Sequence, residues 1–103
     1  MLKNTYIDFK FDDGDTVKMT LAFYFLYQLK SKNKAVYDKY NAIMTKGANE
    51  ELDMITILYA AYLCANIDEM QNCLSFEEFM MKCGSNRYAI KEATEKLVKP
   101  KKQ

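Results

Sequence analysis

Apolar and polar residues alternate through the first twenty positions of the chain. Ile7, Phe9 and Phe11 fall on one side, and Asp8 and Lys10 on the other; Val17 and Met19 repeat the pattern against Thr16, Lys18 and Thr20. A period of two is the mark of half-buried strands. The parity of the pattern also fixes the turn. Facing residues of an antiparallel pair share a face, so Phe9 must oppose Val17 or Met19 and not Lys18. A two-residue loop at Asp13-Gly14 would set Phe9 against Lys18. A three-residue loop, Asp12-Asp13-Gly14, sets Phe9 against Val17 and Ile7 against Met19. It also brings Gly14 to the third loop position, which needs a positive φ.

After Thr20 the period becomes helical. Leu21, Phe25 and Leu29 recur at i, i+4 and i+8 with Leu26 beside them, and Thr20 is the expected N-cap of a helix over 21–30. Ser31 to Asn33 breaks the run. A second helix is expected over 34–46, with Val36, Tyr40, Ile43 and Met44 on one side and Gly47 as its left-handed stop. Asn49 is the expected cap of a third, with Glu50, Glu51 and Asp53 in its first turn, where the helix dipole favours acids. This helix, to about Ile67, is apolar nearly all round, which predicts the central and most buried element. Residues 68–74 read as a loop. Ser75 and Glu78 form a capping box that opens a short helix carrying Phe76, Phe79 and Met80, and Gly84 ends it. Ser85 or Asn86 caps a last helix over about 87–98, with Ala89, Ala93 and Leu97 as its apolar stripe; Pro100 prevents continuation. The expected fold is therefore α+β: an N-terminal hairpin over 5–20, then four to five helices over 21–99 packed around a central helix at about 50–67. Residues 1–99 form a single domain and 100–103 a basic tail.

Composition narrows the chemistry. Among 103 residues there is no His, no Trp, three Gly and one Pro. The usual general base at neutral pH and the usual zinc-ligating nitrogen are absent. With three Gly, each placed in a turn or at a helix end, no phosphate-cradling glycine loop can be written. The three cysteines, Cys64, Cys73 and Cys83, are odd in number and lack C-x-x-C spacing. With no secretory signal at Met1-Leu2-Lys3, they imply a reducing cytoplasm and no disulfide framework. The longest apolar run, Met54 to Ala65, is too short to span a bilayer, which takes about 20 residues.

Net charge is +1, but it is blocked: residues 1–17 are net acidic, 18–46 net basic, 47–81 hold seven acids and no base, and 82–103 are net basic. Such blocks suit either docking between opposite patches of copies or partners, or matching between neighbouring helices of one molecule.

Leu74-Ser75-Phe76-Glu77-Glu78-Phe79 resembles the exit half of a calcium EF-hand. With Glu78 at loop position 12, position 1 is Ile67, position 3 Glu69, position 5 Gln71 and position 6 Asn72. Ile67 cannot ligate and Asn72 replaces the required Gly, so no metal site is assigned. Asp12, Asp13 and Asp15 read as turn formers rather than cation ligands. No spacing singles out a carboxylate pair, and a cysteine nucleophile would lack its imidazole, so no catalytic residue and no cofactor is assigned. Lys30, Lys32 and Lys34 with Tyr27, Tyr37 and Tyr40 could make a basic aromatic face for nucleic acid, but a sequence pI near 7.6 argues against it. What remains in surplus is eight Tyr, six Phe and seven Met. Phe23, Tyr24, Phe25 and Tyr27 lie on both faces of one helix, so one face is left to meet something else.

The order Tyr6-Ile-Asp-Phe-Lys-Phe-Asp-Asp-Gly14, Val17-Lys-Met-Thr-Leu21, Leu26-Tyr-Gln-Leu29, Tyr40-Asn-Ala-Ile-Met44, Ile57 to Asn66 and Ser75-Phe-Glu-Glu-Phe79 resembles the small tail assembly chaperones of tailed phages and prophages of Gram-positive bacteria. The resemblance spans roughly residues 5–99. It implies a non-enzymatic protein of the host cytoplasm, absent from the mature virion. Such proteins bind the tape measure protein, keep it soluble and help recruit tail tube subunits. They tend to self-associate, and many occur in a short and a longer, frameshifted form, of which this chain would be the short one. Under that reading Phe23, Tyr24, Tyr27, Phe76, Phe79 and Met80 contribute to grooves or self-contacts. The alternative is a small nucleic-acid-binding or regulatory domain.

Overall fold

The computed structural model describes residues 6–98; the basic tail 100–103, Lys99 and position 5 of the expected hairpin lie outside the described residues. Strands β1 (Ile7–Lys10) and β2 (Thr16–Met19) pair antiparallel with Ile7 opposite Met19 and Phe9 opposite Val17, the register that parity demands. Gly14 N–H donates to Phe11 C=O at 3.0 Å, and Phe11 N–H to Asp15 C=O at 2.7 Å, closing the three-residue loop with Gly14 at φ 99°. Phe9, Phe11 and Met19 are buried, while Asp8 and Lys18 form an exposed ion pair at 2.8 Å on the other face.

Five α-helices and one 3-10 segment follow: α1 (Phe23–Lys32), α2 (Lys34–Lys46), α3 (Glu51–Ala65), the 3-10 segment (Ile67–Asn72), α4 (Phe76–Cys83) and α5 (Arg87–Val98). The α+β arrangement around a buried central helix is as expected. Nine of the fifteen residues of α3 are buried, and α1, α2, α4, α5 and β2 all pack on it.

Several boundaries differ from the sequence expectation, each for a local reason. Thr20 is not the cap of α1. It is fully buried, its N–H donates to Ala61 C=O and its Oγ1 accepts from Ala22 N–H, so the chain stays extended two residues further before turning helical. Helix α1 then runs through Lys32, and Asn33 alone breaks the run, its Oδ1 accepting from Val36 N–H at 3.2 Å to cap α2. Asn49 does not cap α3 either: Asp53 reaches back, its Oδ2 accepting from Asn49 N–H at 2.8 Å and Glu50 N–H at 3.3 Å. The expected loop 68–74 is largely the 3-10 segment, entered at Ile67, which is buried in the core. The capping box at α4 is present in both directions, Glu78 N–H to Ser75 Oγ at 3.2 Å and Ser75 N–H to Glu78 Oε1 at 3.1 Å. In α5, capped by Asn86, the buried residues are Ile90, Ala93 and Thr94 rather than Ala89, Ala93 and Leu97. The bulkier Ile90 turns inward and rotates the stripe by about one position.

The charge blocks meet inside the molecule. Lys82 of α4 holds Asp13 at 3.1 Å and Asp15 at 2.9 Å in the hairpin turn, Arg87 of α5 holds Glu51 of α3 at 2.7 Å, and Lys32 of α1 reaches Asp68 at 3.7 Å. Neighbour matching is thus the reading that the ion pairs follow. All are at least partly exposed, so solvent screening keeps the contribution of each to stability small. Among the described residues no helix is long and apolar enough to cross a membrane.

Candidate protein-interaction surfaces

The six residues expected at an interaction surface separate into two places with different fates. Phe23, Tyr24 and Tyr27 lie together on the outer side of α1 and are 89%, 59% and 73% exposed. The inner side of the same helix is core: Leu26 and Leu29 are buried against α3, and Phe25 is half-buried. Tyr24 meets Phe25 edge-on, at 5.4 Å between ring centroids, and Tyr6 meets Phe25 at 6.2 Å. Phe23 and Tyr27, one helical turn apart, form the bare stripe.

Phe76, Phe79 and Met80 lie on α4, which packs on α3 and has no comparable packing on α1. Phe79 is fully buried. Its ring stacks on Tyr62 at 5.2 Å, meets Tyr59 at 5.2 Å and receives the edge of Phe11 at 5.6 Å. It has no surface to offer a partner, since its whole ring lies in the core. Phe76 is half-buried against Tyr59 at 5.3 Å. Met80 is half-buried as well, but it opens onto a groove that the sequence pattern did not reveal.

That groove, about 590 Å³, lies where the start of α3, the end of α4 and the start of α5 converge. Leu52 (53% exposed), Met54, Met80 and Tyr88 (75% exposed) supply its apolar walls, with the Arg87–Glu51 ion pair at the rim. It shares Met54 and Lys91 with a second depression of about 390 Å³ bounded by Met44, Ile57 and Val98. Together they form an apolar trough beside α5. The one sequence signal for it was that α3 is apolar nearly all round, more than one core can cover from every side. Leu52 in its first turn is the part left over.

Tyr59 and Tyr62 of α3 clamp the backbone of one residue on both sides: Tyr59 Oη donates to Leu74 C=O at 2.8 Å and Leu74 N–H donates to Tyr62 Oη at 3.0 Å. Burial pushes both phenols above their ordinary pKa, so they remain neutral hydroxyls. Burial also pushes the Cys64 thiol to about 12 and the Cys83 thiol to about 11, leaving neither as a thiolate nucleophile near neutral pH. Among the described residues no group of three or more His, Cys, Asp or Glu gathers where it could hold a metal. The calcium-loop comparison ends at Ile67, whose side chain is core rather than ligand. The basic aromatic face is partly closed on itself, since Lys30 Nζ lies 5.7 Å from the Tyr37 ring centre.

No family model matches the chain, and neither a curated protein nor a solved structure matches it.

Proposed function

We propose that the protein is a non-enzymatic tail assembly chaperone of a tailed phage or prophage. It binds the tape measure protein in the host cytoplasm, keeps it soluble and helps recruit tail tube subunits, and it is left out of the mature virion. The resemblance of sequence pattern supplies the biological role; the observation that carries it physically is the trough beside α5. An amphipathic helix of a long apolar client lays residues at i, i+3, i+4 and i+7 into such a groove. Leu52, Met54, Met80 and Tyr88 offer walls of the adaptable kind that promiscuous helix binders use. The stripe of Phe23, Tyr24 and Tyr27 is the second contact surface, assigned to self-association.

Co-expression with a tape measure fragment that is insoluble alone tests this. The wild-type chain should move most of the fragment into the soluble fraction. Leu52→Ser with Tyr88→Ser should lose that effect while circular dichroism stays native. Tyr24→Ser with Tyr27→Ser should dissociate oligomers in sedimentation velocity. A folded wild-type chain that leaves the fragment insoluble would overturn the proposal.

A further inference from the structure

Among the described residues, the outer edge of β1 has no backbone partner at Asp8 and Lys10. Phe11 N–H donates across the pair to Asp15 C=O, so the odd-numbered residues of β1 turn their backbone groups toward β2 and the even-numbered ones turn theirs outward. Asp12 obeys this parity, and its outward N–H is taken by Lys82 C=O at 2.9 Å. The N–H and C=O groups of Asp8 and Lys10 point the same way and meet no backbone partner among the described residues. A groove of about 360 Å³ follows that edge, lined without a gap by residues 7–12 on one side and by Ala89, Glu92, Ala93 and Lys96 of α5 on the other. Residues from both faces of β1 line it, so it lies along the edge and not over a face. The outer side of β2, by contrast, lends only Thr16, Val17 and Lys18 to a depression against α3.

We infer that this groove receives an extended segment of a partner protein, added antiparallel to β1 as a third strand. This is strand addition to a sheet edge, in which backbone bonds give affinity and alternate side chains give specificity. In the antiparallel register the residues opposite Asp8 and Lys10 each exchange a pair of N–H···O=C bonds, using all four outward groups. Their side chains then stand on the solvent face beside Asp8 and Lys10, where an acid belongs opposite Lys10 and a base opposite Asp8. The residues between and beyond them turn toward α5, where Ala89 and Ala93 leave room for aliphatic side chains. Read from its N-terminus, the segment is apolar, acidic, apolar, basic, apolar.

The sequence of β1 itself, Ile7-Asp8-Phe9-Lys10-Phe11, has this pattern. A folded second copy is nevertheless the wrong occupant. Helix α5 packs on β1 and walls the groove, so twofold pairing of two β1 edges would bring both α5 helices to one seam. Paired strands sit about 4.8 Å apart, whereas packed helices need about 8–10 Å. A free extended segment meets no such conflict. The inference is independent of the trough and of α1, and it survives or fails separately from the chaperone proposal.

The test uses the full chain, labelled with nitrogen-15, and the capped peptide Thr-Val-Glu-Val-Lys-Val-Thr. On titration the amide signals of Asp8 and Lys10 should move downfield, and their hydrogen exchange should slow about tenfold or more. The charge-swapped peptide Thr-Val-Lys-Val-Glu-Val-Thr should bind about fivefold more weakly. A peptide N-methylated at Glu and Lys keeps every side chain but loses the donors aimed at β1, and should not bind. Lys10→Pro removes one outward donor at an edge position where proline is tolerated, and should also abolish binding with the helical spectrum unchanged. Unmoved Asp8 and Lys10 amides would overturn the inference, as would equal binding of the N-methylated peptide. Concentration-dependent protection of the same amides without peptide would also overturn it, by making a second copy the occupant.

Discussion

Two regions of this molecule are built from the same residue types and end in opposite environments. Phe23, Tyr24 and Tyr27 stand on the outside of α1, largely in solvent, while Tyr59, Tyr62 and Phe79 form a stack at the junction of α3, α4 and the hairpin. The difference lies in the number of elements that converge. Helix α1 has α2, α3 and the 3-10 segment along one side and nothing described on the other. The stack has α3 beneath it, α4 above it and Phe11 of the hairpin closing its edge. Aromatic surplus in a small chain is therefore not one property. One part fills the core where three elements meet, and the other stands in solvent on the outside of a helix.

Truncation should break the comparison most widely apart. Phe79→Ala removes a ring in contact with Tyr59, Tyr62 and Phe11, and should cost about 3–5 kcal/mol, a large share of the 5–15 kcal/mol expected for a whole domain. Phe23→Ala, at 89% exposure, should stay within about 0.5 kcal/mol of wild type. Urea unfolding of both variants reads the two values directly. Comparable losses would mean that α1 is covered in solution by a copy or partner, which concentration-dependent midpoints would then reveal.

The division was only partly legible along the chain. The hairpin register followed from two local constraints: parity leaves Val17 or Met19 opposite Phe9, and the three-residue loop that gives Gly14 its positive φ selects Val17. The capping box at Ser75 and Glu78 was equally local. Phe79 was misplaced because amphipathicity tells that a helix has an apolar face but not whether the face turns into the core or out of it. Leu52, Met54 and Tyr88 were missed because the trough they line exists only once α3, α4 and α5 converge. The stripe of α5 was misjudged because Ala89, Ala93 and Leu97 and the true inward set, Ile90, Ala93 and Thr94, both recur at helical spacing. Lys82 holding Asp13 and Asp15 spans most of the chain, and no window of sequence contains it.

Hydroxyl removal separates the regions at a finer scale. Tyr62→Phe leaves Leu74 N–H without its acceptor and should cost about 1–3 kcal/mol, with faster exchange of the Leu74 amide. Tyr59→Phe removes a donor to Leu74 C=O, a group with a second lone pair, and should cost about 1 kcal/mol without exposing that amide. Tyr24→Phe should change stability by less than about 0.5 kcal/mol. Hydrogen exchange at Leu74 in the three variants orders them independently of the unfolding curves. Exchange at Leu74 that is insensitive to Tyr62→Phe would remove the clamp from the account.

The smallest expected effect lies at the boundary between the two environments. Lys82 stands 5.1 Å from the Phe11 ring centre while its ammonium holds Asp13 and Asp15, so it covers the solvent end of the aromatic stack with charge. Asp13 sits below its ordinary carboxylate pKa, first because Asp15 N–H donates to its Oδ1 at 3.0 Å and second because of Lys82. A carboxylate whose folded pKa is depressed adds stability that is present above its unfolded value, about 3.9, and is lost as pH falls through the folded value. The window is therefore acidic, from about pH 4 downward. Lys82→Gln should make the acid limb of the stability profile shallower without abolishing it, because the bond from Asp15 N–H is retained. The alkaline limb is a poorer probe of this residue, since the raised phenols of Tyr59 and Tyr62 also lose stability there as the unfolded tyrosines ionise. Salt at about 1 M should act on the wild type in the same direction as the substitution, because it screens the exposed ammonium and leaves a backbone hydrogen bond in place. An acid limb that is unchanged in Lys82→Gln would assign the whole depression of Asp13 to the turn. The lysine would then serve the stack only through its place over the Phe11 ring.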